Sequence, residues 1–292
     1  MQLGFIGFGE VGFELSRGLK GEGLDGIIAY DPLANDPQYG VLVKERAKEA
    51  VVGLLENPLG VAARSDVIIA AVPGSKAEAA ALAVVNALNA TKVYVDVSTS
   101  SPKTKQRIAA AVLPTGALFA DVALMDSLTQ YRHKVPTLVS GNGSDRFIQL
   151  MAPYHMSLEK VSDKPGEAIA NKLVRSIYMK GLASLSAELL EAASALEVTP
   201  RVLKSIGSSM NNFTFEDKMN FLVTASAIHA ARQAHEMADV AAMLVEMGIE
   251  PLMTEATRKR LEWLANKQLK TKFQGKKPKR WEEVVEAWKT SK

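Results

Sequence analysis

Gly4-Phe5-Ile6-Gly7-Phe8-Gly9-Glu10-Val11-Gly12, with Asp31 nineteen residues after the last glycine, is the stretch that decides the fold of this chain. Leu3 to Ile6 is apolar and predicts a short strand; Glu10 to Lys20 predicts a helix. The glycines therefore fall in a strand-to-helix turn. A second strand, Gly26 to Tyr30, ends at the acid. In such a turn Gly7 permits the tight reversal, Gly9 lets the backbone come close to a pyrophosphate, and Gly12 lets the helix pack closely on the sheet. Phe8, Glu10 and Val11 complete the loop, and the helix N-terminus faces the phosphate charge. The glycine triplet alone is a weak signal. Strand, turn, helix, second strand and terminal acid together are the context of a dinucleotide site.

Composition bounds the rest. The chain has 292 residues, 47% apolar and 23% charged, and no cysteine. That suits an ordinary globular protein long enough for two domains. It excludes disulfides, thiolate metal sites and a cysteine nucleophile. No apolar run is long enough to span a bilayer, and the first strand starts at residue 2, so a cytoplasmic chain without signal peptide or membrane partner is expected. The four histidines offer no His-x-x-x-His pair, and His229 and His235 fall roughly 120° apart on a helix, so no metal site is expected. Net charge is only +3, but from Arg258 to Arg280 ten Lys or Arg face a single acid, Glu262. The expectation is a solvated helix end and loop rather than a nucleic-acid surface. Trp263, Phe273, Trp281 and Trp288 suggest that this stretch docks onto the body of the protein or onto a second subunit.

Strands and helices alternate through the first half. A helix is expected over Gln38 to Ala50, a strand over Val67 to Val72 stopped by Pro73-Gly74, and an alanine-rich helix from Lys76 to Leu88. A strand over Val93 to Val97 follows, then a helix to Val112 and strands at Ala117 to Ala123 and Val135 to Ser140. This alternation predicts a parallel, doubly wound, Rossmann-like α/β sheet. From Pro165 onward helical periodicity takes over. Asp163 as N-cap and Pro165 in the first turn predict a long helix to Leu196, and a domain boundary at residue 164 separating residues 1–164 from an all-helical 165–292.

On that long helix, with Lys172 at zero degrees, Ala168, Met179, Ala183, Ser186 and Leu190 fall within about 40° of it. A lysine on a small, apolar stripe either snorkels to the rim or lines a cleft where desolvation would lower its pKa. Gly4 to Gly12, Val72-Pro73, Asp96-Val97-Ser98-Thr99 with Pro102, and Gly166 with Lys172 occur in the order seen in the β-hydroxyacid dehydrogenases. The chain resembles a divergent member of that family, which includes 3-hydroxyisobutyrate and 6-phosphogluconate dehydrogenases. It is most similar to the phosphogluconate-dehydrogenase-like branch with its own C-terminal domain. The resemblance implies an oxidoreductase that moves a hydride between NAD, with NADP possible, and a small anionic β-hydroxyacid. Lys172 would be general acid/base, Val72 and Pro73 would cover the cofactor, and Ser98 and Thr99 would lie near nicotinamide and substrate. Apart from the resemblance, Ser98 and Thr99 read as a helix cap before Pro102. The resemblance also implies an active site in the cleft between the domains and a homodimer or tetramer formed through the helical domain.

Three departures alter the substrate pocket. Asp121-Val122-Ala123-Leu124-Met125-Asp126-Ser127 stands where the family has Asp-x-Pro-Val-Ser-Gly-Gly. Ser176 replaces an asparagine four residues after the lysine, and His235-Glu236 replaces a Lys-Asp pair. Ser98, Ser127, Arg175, Ser176, Arg232 and His235 are thus the candidate substrate residues, with Arg175 and Arg232 the candidate anion clamp. Interdomain or intersubunit ion pairs are the plainer reading of both arginines. Two other readings of the chain are an imine reductase, which retention of Lys172 disfavours, and a non-catalytic dinucleotide sensor whose basic tail binds a partner.

Overall fold

The computed structural model of the protein describes residues 1–290. The chain forms two compact units that divide between Ser176 and Ile177.

The first unit is built on one sheet of eight strands: β1 Leu3–Ile6, β2 Ile27–Tyr30, β3 Gly53–Leu54, β4 Val67–Ala70, β5 Val93–Asp96, β6 Leu118–Leu124, β7 Thr137–Ser140 and β8 Leu158–Ser162. Their order is β3-β2-β1-β4-β5-β6-β7-β8. Every pairing is parallel except β6 with β7. Helices α1 (Glu10–Gly21), α2 (Gly40–Glu49), α3 (Pro58–Arg64), α4 (Ala77–Leu82), α5 (Pro102–Val112), α6 (Leu128–Tyr131) and α7 (Ser144–Met151) connect the strands. Because side chains alternate along a strand, the central strands feed two cores. Leu3, Phe5, Val67, Ile69, Val93 and Val95 pack with Leu15 and Leu19 of α1 on one side. Ile6, Ile68, Ala70, Tyr94 and Phe119 pack with Val61, Ala81, Ile108 and Val112 on the other.

Several expectations change in detail. The sheet is not wholly parallel: β7 returns antiparallel to β6, because the link from Met125 to Pro136 holds only α6 and a 3₁₀ turn and makes no crossover. The Lys76-to-Leu88 helix is only α4 flanked by 3₁₀ turns at Gly74–Lys76 and Val85–Ala87. The sequence reading lacked β3, α3, α7 and β8. Asp163 does not cap the long helix. That helix, α8, starts at Glu167, past Pro165, and Asp163 instead pairs with Lys160 at 2.8 Å.

α8 (Glu167–Ala195) runs from the first unit into the second. The units part inside it rather than at residue 164 because Ala168 and Ile169 are buried against Ala123 of the sheet. Beyond it, α9 (Thr199–Met210), α10 (Phe215–Glu246), α11 (Leu252–Asn266), α12 (Leu269–Lys272) and α13 (Trp281–Lys289) make the second unit all-helical. Glu188 accepts the amides of Met253 and Thr254 at the start of α11, at 2.6 and 2.8 Å. The basic stretch is the end of α11 followed, after the short α12, by a loop, and most of its lysines and arginines are exposed, while its apolar residues dock. Leu264, Leu269 and Val284 are buried against Ala227 and Ala230 of α10, with Phe273 and Trp288 packed around them. Among the described residues no helix is long and apolar enough to cross a membrane.

Just beyond α1, Glu22 gathers Lys134 at 2.7 Å and His155 at 2.7 Å. Hydrogen bonds from Lys134, then from His155, pull its carboxyl down to about 2. A carboxyl lowered by folding adds stability above its unfolded pKa, and that contribution fades as pH falls through the folded value. The difference in urea midpoint between the protein and Glu22→Gln is therefore expected to be present at neutral pH and to close between about pH 4.5 and 2.

Candidate cofactor and substrate site

The strand order reverses direction between β1 and β4, which opens a crevice at their carboxyl ends, the position where open α/β sheets bind ligands. Gly7 turns the chain there with φ +89°, and a Cβ on it would lie 2.5 Å from the Ala71 carbonyl oxygen. Gly9 is the N-cap of α1 and offers no side-chain cap. A Cβ on Gly9 would meet nothing within 4 Å, while one on Gly12 would stand 3.1 Å from both the Gly7 oxygen and the Phe8 ring. Gly12 thus keeps the turn tight against itself more than it packs helix on sheet. A cavity of about 280 Å³ is lined by Gly9, Glu10, Val11, Val72, Pro73, Gly74, Val97, Ser98 and Thr99, with Ala71.

Asp31 ties the end of β2 to this loop. One carboxylate oxygen accepts the Phe8 amide at 2.6 Å and the other the Leu33 amide at 2.8 Å. Each oxygen keeps a further acceptor direction for a ribose hydroxyl. The uncapped first turn of α1, the open side of Gly9 and this tethered acid fit a dinucleotide.

Ser98 and Thr99 are not the cap of α5. Ser101 is, accepting the Thr104 amide at 3.1 Å. Ser98 is buried; its amide donates to Asp96 Oδ1 at 2.9 Å and its hydroxyl to Ser100 at 3.2 Å. Thr99 is exposed. The sequence reading did not single out Gly74, which has no room for a side chain because a Cβ would lie 2.5 Å from the Thr99 carbonyl oxygen. The Val72-Pro73 loop and the Ser98-Thr99 loop are held edge to edge at that point.

Lys172 is half-buried one turn past Ala168 on α8. Ser176 turns its hydroxyl back to the Lys172 carbonyl at 2.9 Å. Arg175 donates to the Met125 carbonyl at 3.1 Å, so it meets the segment that stands where the family's two glycines would be. In that segment Asp126 is exposed and accepts the Ser127 amide at 2.8 Å, and the Ser127 hydroxyl lies 2.9 Å from that of Thr129. The apolar stripe around Lys172 is not filled along its length, since Met179 and Leu190 are 46% and 42% exposed.

Arg232 and His235 belong to the second unit. Arg232 pairs with Glu236 one turn away, and His235 lines a cavity with Arg258, Glu262 and Asn266. Several charges of the basic stretch are matched nearby: Arg258 by Glu255 at 2.8 Å and by Glu262, Arg280 by Glu282 at 2.6 Å.

Residues 2–145 match the family model for the NAD binding domain of 6-phosphogluconate dehydrogenase, and residues 193–264 match a domain of unknown function (DUF1932). A conserved hypothetical protein from Sinorhizobium meliloti 1021 is 29% identical, over 99% of this chain and 95% of that one, with a TM-score of 0.61. A conserved protein of unknown function, described as structurally similar to 3-hydroxyacid dehydrogenases, is 28% identical over 94% of this chain and 100% of that one, with a TM-score of 0.60. An imine reductase from Myxococcus stipitatus, solved with NADP+, shares the fold at 14% identity, over 90% of this chain and 93% of that one, with a TM-score of 0.70.

With a carboxylate at Asp31 and only Pro32 and Leu33 after it, a 2′-phosphate would meet like charge and no arginine. Tighter binding of NAD than of NADP is expected by fluorescence titration of the reduced forms, with the preference shrinking in Asp31→Asn. Tighter NADP binding to the unmodified protein would overturn this.

Proposed function

We propose that this chain, whose first unit is an NAD-binding domain of the 6-phosphogluconate dehydrogenase type, is a dehydrogenase for a small anionic β-hydroxy compound. The observation that carries the reading is a half-buried lysine on the helix anchored to β6, in the same unit as the cavity formed by the glycine turn, Val72-Pro73 and Ser98-Thr99. Bound NAD supplies a hydride acceptor at the nicotinamide. The Gly9–Gly12 turn would hold the pyrophosphate, Asp31 the adenosine ribose, and Val72 and Pro73 would line the cofactor's cavity. Lys172 would take the proton from the substrate hydroxyl in oxidation and return it in reduction. Ser98 and Thr99 orient the reacting alcohol.

The anionic end of the substrate falls to Arg175 and Ser127. Guanidinium binds a carboxylate or phosphate through two parallel bonds, and Arg175 already reaches the loop that carries Ser127. With Asp126 exposed, its charge is solvated and repels an anion weakly. Arg232 would join only by giving up Glu236. Lys172→Met is expected to slow the chemical step by roughly two to four orders of magnitude while leaving NADH binding nearly intact, and Arg175→Ala to raise the KM. Stopped-flow and steady-state assays over a panel of small hydroxyacids check both. Full turnover by the lysine variant would end the acid/base assignment. An imine reductase reading is supported by the shared fold alone. It would gain if NADPH-dependent reduction of a cyclic imine proceeded while every hydroxyacid failed.

We also infer that the second unit associates with a second copy of the chain. Ile177, Leu182 and Leu185 of α8, Leu196 just past its end, and Leu203 and Ile206 of α9 are 41% to 76% exposed. No residue of α9 is buried, so this helix lacks the apolar burial that most helical stability comes from. Light scattering is expected to give twice the chain mass or a multiple of it, and Leu185→Glu to lower it. A monomeric wild-type protein at micromolar concentration would refute this.

A further inference from the structure

Asp96 of β5, Asp121 of β6 and Ser140 of β7 are register partners and form one row across three strands. All three are fully buried. Two carboxylates side by side in an apolar interior demand a cation, and it comes from Lys105 of α5, also fully buried. Its Nζ lies 3.2 Å from Asp96 Oδ2 and 3.1 Å from Asp121 Oδ1, and it donates to the Asp96 carbonyl at 2.8 Å.

The outer oxygens of the two acids point to different parts of the site. Asp96 Oδ1 accepts the Ser98 amide at 2.9 Å. Asp121 Oδ2 accepts the amides of Gly166 and Ile169, each at 3.1 Å, and the Ser140 hydroxyl at 3.1 Å; that hydroxyl in turn accepts the Ala168 amide at 2.9 Å. These are N–H groups at the start of α8 that have no partner within the helix, so Asp121 and Ser140 cap the helix that carries Lys172. At the same point Gly166 has φ +96°, and a Cβ on it would stand 2.9 Å from the Pro102 carbonyl oxygen, at the first residue of α5.

We propose that Lys105 is a positioning residue: by bridging Asp96 and Asp121 it fixes the Ser98-Thr99 loop relative to the first turn of the Lys172 helix. The consequence for turnover rests on the dehydrogenase reading; the mechanical link does not. Without the ammonium, Asp96 and Asp121 repel each other, and the loop and the helix start lose their common anchor.

Lys105→Met tests this, and Lys105→Met/Asp96→Asn keeps the test valid should the single variant fail to fold. The double variant removes the repulsion, yet Asn can still accept the Ser98 amide. Hydrogen exchange of peptides spanning 164–173 and 96–101 reads the link directly. Both should exchange roughly tenfold faster or more, as expected when charge-assisted bonds are loosened, with α1 and α2 unchanged. NADH affinity is expected to stay within about threefold, since no dinucleotide contact is removed. The kcat is expected to fall roughly tenfold to a hundredfold, the size of an ångström-scale misplacement, with KM little changed. Wild-type exchange in both peptides overturns the proposal, as does a loss confined to NADH affinity or KM. If the wild-type protein oxidises no hydroxyacid, the dehydrogenase reading fails, and the exchange measurement still decides the link.

Discussion

The site depends on a charge balance inside the sheet. An ammonium and two carboxylates removed from water are costly unless each is paired and hydrogen-bonded, and breaking such a set by removing one member is far worse than never having had it. Here the requirement is met by three strands meeting in register at Asp96, Asp121 and Ser140, with Lys105 reaching them from α5. The surplus negative charge faces the partial positive end of α8. Sheet register, the loop after β5 and the direction of the long helix are therefore parts of one electrostatic arrangement.

Much of this is legible in the sequence, and unevenly so. The glycine turn and the central strands are local: apolar runs bounded by turn residues give β1, β2, β4 and β5 to within two residues, because buried parallel strands need little but hydrophobicity. Edge elements carry no such signal. β3 has two residues, and Leu158–Ser162 half-buries Leu158, Lys160 and Ser162 while exposing Glu159 and Val161, so neither reads as a strand in isolation. The helix start was misplaced for a similar reason. Asp163 and Pro165 satisfy the local capping rules, but the cap comes from Asp121, more than forty residues away, and no local rule sees that partner.

Lys105 carries a signal of its own in the sequence. It shares a helical stripe with Ile108, Ala109 and Val112, all buried, which is the same anomaly that drew notice to Lys172. Asp121 was read as the first residue of a substrate loop, whereas its fully buried carboxylate serves the scaffold. The substrate candidates divide between the units. Ser98, Ser127, Arg175 and Ser176 lie in the first, where Arg175 meets the Met125 carbonyl. Arg232 and His235 lie in the second, where Glu236 engages the arginine. Spacing along a helix shows that two side chains share a face, but not which neighbour has already claimed one of them.

The two outermost strands bear on whether the sheet can add strands from another chain. An unpaired strand edge invites another chain to add to it, and long, flat, apolar edges seed aggregation. At one rim Gly53–Leu54 is too short to template a partner. At the other, Lys160 is anchored to Asp145 and Asp163 at 2.7 and 2.8 Å, so an incoming strand would have to accommodate a fixed cluster of charges. Neither rim suits fibril growth, and a sheet of eight strands can thus end in water at both sides without recruiting a ninth.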